Sequence, residues 1–371
     1  MKKSFLTCFI FGFVILIFLG VVVADTVGLK IPLAIGKVRL DKKVFEPSKG
    51  EKVTLSWEVN KESDVTVAIY DRIGNLVRTF NISRAFPGEQ SVTWDGRRGD
   101  GNFALGQTFL YIIESTAVGG EKVIYNPSVE TGGQAVNAHN YVFDAETGKV
   151  EYVLPKACMV RLRAGLKQGM LAKTIFDWEP QAAGRHELIW DGNDVSGLMN
   201  LAKHADLNIN LTCYTLPDNT IIAKGQLLAF EPEEKRVEKT GKETRTDLWG
   251  TNNKYIHYTH DPQACHEPRF AVFFPKGKET DEKNVYKISG MTPIRIELDN
   301  RDIRNLVNRR FEIMLYIDGV FLFEMEEGTS PFTFNWDTKP FAKGSHILTV
   351  NIMSYDDHIG VVSQKVIIGA D

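Results

Sequence analysis

The chain has 371 residues, 47 acids against 44 Lys and Arg for a formal net charge of −3, 43% hydrophobic residues, 31 glycines and four cysteines. A mildly acidic balance without a basic patch excludes a nucleic-acid partner, and ordinary apolar content excludes a disordered chain. The length exceeds what one hydrophobic core serves, so two or three domains are expected.

The N-terminus reads Met1-Lys2-Lys3, then an apolar run from Phe5 to Val23, then Ala24 before Asp25. That order is a charged n-region, an h-region and a small-residue cleavage site, so residues 1–24 are expected to be a signal peptide and the chain to be exported, to the periplasm or outside the cell. The run is also close to bilayer-spanning length, which leaves an uncleaved anchor as the alternative and the sole expected membrane contact. Removing it takes two lysines and no acid, and shifts the net charge from −3 to −5. Three cysteines then remain, Cys158, Cys213 and Cys265. Cys158 and Cys213 fall on alternating segments of one module, where a disulfide between them would join two sheets; sequence leaves that pairing open.

Internal similarity organises the rest. Gly88 to Gly96 ends in Trp94-Asp95-Gly96, Gly184 to Gly192 ends in Trp190-Asp191-Gly192, and Ser330 to Thr338 ends in Trp336-Asp337-Thr338. A hairpin precedes each copy: Val65 to Tyr70 with Leu76 to Phe80, Met159 to Arg163 with Met170 to Phe176, and Phe311 to Ile317 with Val320 to Met325 across Asp318-Gly319. Period-two alternation places one face of each strand on a core, and Asp-Gly turns supply the positive φ of tight hairpins. The expected fold class is all-β, as tandem immunoglobulin-like β-sandwiches. Trp94, Trp190 and Trp336 are read as core anchors, and Asp95, Asp191 and Asp337 as acceptors for the amides of the following turn. Asp95 to Asn102 also offers oxygens at short spacing, but two arginines and no terminal Glu separate it from an EF-hand loop.

The hairpin followed by Trp94-Asp95-Gly96, Gly99-Asp100-Gly101 and Gly106 to Tyr111 resembles the Ig-like module of the flagellar hook-capping protein FlgD, a module common in secreted bacterial proteins. The resemblance spans residues 38–118 and returns more weakly over 150–228, while 285–371 resemble a C-terminal bacterial Ig-like domain. It implies binding, spacing or assembly and carries no catalytic residues over.

Between these modules, 119–149 read as a linker or long loop, and 229–284 as a charged, histidine-containing linker with balanced acids and bases over 231–253. Within it, His257, His260, Cys265 and His266 are candidate ligands for a transition metal such as zinc or copper, the one cofactor the chain suggests; a polar interdomain loop is the plainer alternative. Ile303 to Arg309 suggest one short helix. No Gly-x-Ser-x-Gly elbow, His-Glu-x-x-His helix or phosphate-cradling glycine loop occurs, so no catalytic residue is assigned, although two converging carboxylates stay open. The leading reading is a non-catalytic, exported modular protein that scaffolds or binds other envelope or extracellular proteins. A metal- or redox-associated periplasmic subunit is one alternative. A carbohydrate-binding protein is another, requiring exposed aromatics such as Trp178, Trp249 and Tyr255.

Overall fold

The computed structural model describes residues 31–71, 74–104, 107–225, 267–307, 310–354 and 358–369. Met1–Pro32 and Leu33–Asp371 form separate units, and the architecture below is that of the second. It is nearly all β, as tandem sandwiches. The expected signal peptide, residues 1–24, lies outside the described residues, and none of the described helices is long and apolar enough to cross a membrane.

Alternation sets each core. Val53–Val59 buries every second residue, which puts Leu55 and Trp57 inside the first sandwich with Val65, Val67, Trp94 and Phe109. One sheet of that sandwich runs Ile35–Leu40, Val53–Val59, Gly88–Trp94 in spatial order. The facing sheet holds the hairpin Ser63–Asp71 and Leu76–Ala85, with Thr108–Ala117 beside the first of these.

The partner of Thr108–Ala117 on its far side comes in two pieces. Lys122–Tyr125 pairs with its later half, Ile113 opposite Tyr125, and Thr220–Ala223 pairs with its earlier half, Leu110 opposite Thr220. Thr220–Ala223 also pairs in parallel with Val44–Phe45. The first sandwich is therefore completed by residues nearly 100 positions downstream, and the second sandwich is inserted into its last strand.

Two expected boundaries change accordingly. The stretch 119–149 is not a linker: it carries Lys122–Tyr125 of the first sandwich, then Ala135–Val136 and His139–Asp144 of the second. Thr220–Ala223, placed in the second module from sequence, belongs to the first. The second sandwich faces His139–Asp144, Lys149–Leu154 and Gly184–Ile189 against a sheet of Leu171–Gln181, Cys158–Leu166, Leu207–Thr215 and Ala135–Val136. Its core gathers Val150, Tyr152, Leu162 and Cys213.

The third sandwich starts earlier than residue 285, since Phe270–Phe273 pairs with Met291–Leu298 and Lys278–Glu279 with Tyr286–Ile288. Its larger sheet ends in the hairpin Phe311–Ile317 and Val320–Met325. Asp318 and Gly319 both have positive φ, 49° and 82°, the requirement of a two-residue hairpin matching sheet twist. The helix forms at Asn300–Val307, three residues before the expected start. Asp302 pins it by accepting from the backbone amide of Arg269 at 2.9 Å.

Candidate functional site

The three Trp-Asp turns can be compared atom by atom. Asp95 Oδ1 accepts from the amide of Arg97 at 3.1 Å, Asp191 Oδ1 from Asn193 at 3.0 Å, and Asp337 Oδ1 from Lys339 at 3.1 Å. Each carboxylate thus holds the amide two residues on, an Asx-type turn. The bond from Asn193 keeps the Asp191 carboxyl below the usual range. Trp94, Trp190 and Trp336 are all buried at the ends of their strands.

Their indoles differ. Trp94 Nε1 donates to the Arg97 carbonyl at 2.8 Å and Trp190 Nε1 to the Asn193 carbonyl at 3.1 Å, whereas Trp336 Nε1 is buried without an acceptor among the described residues. The residue after the Asp explains it. Gly96 and Gly192 have φ of 82° and 75°, which bends the carbonyl three residues past the Trp back over the ring. Thr338 makes no such bend, and its amide and hydroxyl both donate to the Gly290 carbonyl instead.

Within 95–102 the loop bonds to itself. Asp100 Oδ1 accepts from Asn102 N, Arg97 Nη1 donates to the Gly101 carbonyl, and the Arg97 guanidinium lies 4.0 Å above the Phe103 ring. Among the described residues no three His, Cys, Asp or Glu side chains gather to hold a metal ion. His257, His260, Cys265 and His266 lie outside the described residues.

Cys158 and Cys213 are buried free thiols. They lie on paired strands of one sheet, Cys213 opposite Val160 and Cys158 opposite Thr215. A bond between them would therefore not tie two sheets, because the alternation that puts both side chains inward leaves them two residues apart on the same layer. Burial pushes their thiols up, to about 12 for Cys158 and about 11 for Cys213, and Cys158 Sγ donates to the Lys156 carbonyl at 3.2 Å. Trp178 is no exposed platform either: it is 6% exposed, with the Arg161 guanidinium 4.4 Å over its ring. Trp249 and Tyr255 lie outside the described residues.

The most developed features are the junctions between sandwiches, which no local pattern marks because they join positions far apart in the chain. Between the first and second, Leu110 and Ile222 share an apolar cluster with Ala157, Met159, Trp178 and Leu216. Asn219 Nδ2 donates to the Tyr111 carbonyl at 2.7 Å, the Tyr111 amide donates to the Asn219 carbonyl, and Lys43 Nζ donates to the Asp218 carbonyl at 3.1 Å. Burial holds the Lys43 ammonium below its usual range, opposed by the charge of Asp218.

Between the second and third, Tyr316 enters a cluster with Ala164, Met170, Trp190 and Leu201. Buried Asn351 makes both bonds of a strand partner to Leu171: its Oδ1 accepts from Leu171 N and its Nδ2 donates to Leu171 O, each at 2.9 Å. At Gly319 a Cβ would stand 3.0 Å from Leu166 Cδ1, so glycine serves both the turn and the contact.

Residues 43–110 match the family model of the FlgD Ig-like domain. That match stops within Thr108–Ala117, before the chain leaves the first sandwich at Tyr125. Among solved structures, FlgD from P. aeruginosa is similar at 22% identity over 25% of this chain and 67% of that one, with a TM-score of 0.21. The endo-beta-1,4-mannanase from Thermotoga petrophila is similar at 13% identity over 32% of this chain and 23% of that one, TM-score 0.21. A tetra-tandem repeat from the extending region of a large adhesion protein is similar at 12% identity over 92% of this chain and 74% of that one, TM-score 0.21. No curated protein matches the chain.

Proposed function

We propose that this protein is a non-catalytic, exported bacterial module array that holds or spaces protein partners in an envelope or extracellular assembly. The observation that carries the reading is the pair of built junctions. A chain whose modules act separately needs only exposed linkers between them. Here the second sandwich is anchored at both ends in a strand of the first, and the third is held by Asn351 and Tyr316. Fixed spacing between sandwiches is the property a scaffold needs, since a rigid array loses less entropy when it engages partners at several points. The FlgD Ig-like match and the apolar N-terminal segment support the same reading.

The test is a crosslinking pull-down of the full chain from the native envelope fraction. A defined set of co-purifying envelope or extracellular proteins is expected. Recovery of the chain alone, with hydrolytic activity on a polysaccharide or with stoichiometric metal, would overturn the reading.

A further inference from the structure

The second strand of each repeated hairpin, Leu76–Ala85, Leu171–Gln181 or Val320–Met325, ends its sheet. Such an edge presents a row of unpaired amides and carbonyls, and the chain treats its three edges differently. The middle one is covered within the molecule: Leu171 is bonded by Asn351 of the third sandwich, Ala172 O accepts from Val195 N, and Asp177 Oδ2 accepts from Glu267 N. The outer two are not. In the first, Val77 O accepts from Gly99 N at 3.1 Å, and among the described residues no strand pairs with the outer side of either Leu76–Ala85 or Val320–Met325.

These two open edges carry opposite charge. Residues 74–88 contain Arg78 and Arg84 and no acid, whereas 318–328 contain Asp318, Glu324, Glu326 and Glu327 and no base. Both edges carry charge and a register shift, which limit indiscriminate pairing, yet both also expose large apolar side chains, Leu76 at 53% on one, Val320 at 66% and Phe321 at 56% on the other.

We infer that the acidic edge Val320–Met325 of one molecule pairs with the basic edge Leu76–Ala85 of a second copy of this chain, joining copies head to tail. Backbone bonds supply the attraction, and opposite charges across the strands choose the partner. Pairing either edge with its own kind would bring acid against acid or arginine against arginine, which selects the unlike combination. Such a contact uses different surfaces on the two molecules, so it leaves a free edge at each end and extends into chains of copies. The inference deepens the scaffold reading by naming one partner, and it stands or falls on the purified protein alone.

The experiment is sedimentation velocity on the purified full chain across a concentration series, at low and high salt. Weight-average mass is expected to rise with concentration at low salt and to fall back when ionic strength shrinks the screening length from about 10 Å to about 3 Å. Glu324→Lys with Glu326→Lys, or Arg84→Glu, should each raise the concentration for half-association about tenfold or more by placing like charges across the contact. Mixing the two variants should restore association, because the unaltered basic edge of one then meets the unaltered acidic edge of the other. Circular dichroism melts of both variants separate a lost contact from a lost fold. A chain that stays monomeric throughout overturns the inference. So does association indifferent to salt and to both substitutions, as contacts through the apolar N-terminus would be. If the chain stays monomeric yet the envelope pull-down yields partners, this inference fails and the scaffold reading survives.

Discussion

The first and third sandwiches solve one structural problem in two ways. In the third, a single strand, Ile359–Ile368, fills the position beside Gly344–Ser354 and also pairs in parallel with Tyr286–Ile288. In the first, the corresponding positions beside Thr108–Ala117 and Val44–Phe45 are filled by Lys122–Tyr125 and Thr220–Ala223, with the second sandwich spliced between. A continuous strand leaves its sandwich independent of its neighbour. A split strand makes the inserted sandwich part of its host, because both ends of the insertion must be in register before the host sheet closes. The first two sandwiches should therefore behave as one cooperative block, and the third as a unit attached by side chains.

The largest expected effect follows from breaking the splice. Ile221 is 1% exposed in the first core, so Ile221→Ala should cost about 2–5 kcal/mol. Hydrogen exchange should report lost protection in both the first and second sandwiches, with the third unchanged; loss confined to the first would contradict the block.

Cutting the side-chain junction should have a smaller and more local effect. Asn351→Ala leaves the amide and carbonyl of Leu171 without their partners, a loss of about 1–3 kcal/mol. Calorimetry should then resolve the third sandwich as a separate transition. A single sharp transition in the variant would show that Tyr316 and its cluster suffice to couple the two.

The indoles sharpen the comparison further. Trp94→Phe removes the donor to Arg97 O, whereas Trp336→Phe removes a buried N–H with no acceptor among the described residues. The first should cost about 1 kcal/mol more than the second, the net worth of a hydrogen bond, and denaturant midpoints at constant slope would measure it.

The smallest effect is a pH response confined to the third sandwich. His346 Nδ1 lies 2.6 Å from Asp318 Oδ2, which raises its pKa above the usual histidine range. A raised folded value means the contribution is complete below about pH 6.5, the unfolded value, and is lost as pH rises through the folded one. Asp318→Asn should weaken the loss of melting temperature of the third sandwich as pH rises above about 6.5 and leave the first two alone. Asp191 works in the opposite direction: its carboxyl is held low, so its contribution is present above about pH 4, the unfolded value, and fades as acid protonates it.

Much of this protein was legible in the sequence because the signals are local. Alternation over Phe311 to Met325 and the Asp318-Gly319 turn specify a hairpin by themselves, since side-chain period and backbone φ are properties of neighbouring residues. The Trp-Asp-Gly repeats likewise specify a buried ring and a bonded turn within four residues, and the first of them lies within the family match over 43–110. What sequence could not specify was where the chain returns. Nothing local marks Thr220–Ala223 as part of a sandwich that began near residue 35, or marks Asn351 as the partner of Leu171, because those choices are made by backbone groups and apolar faces that meet only after the sheets have formed. For the same reason 119–149 read as a linker: its short strands are too brief to show a period, and their place is set by the edges they complete. The cysteines make the point in miniature. Alternation put Cys158 and Cys213 on strands of one module, but only the pairing of Cys158–Leu166 with Leu207–Thr215 placed them on one layer of one sheet rather than on two.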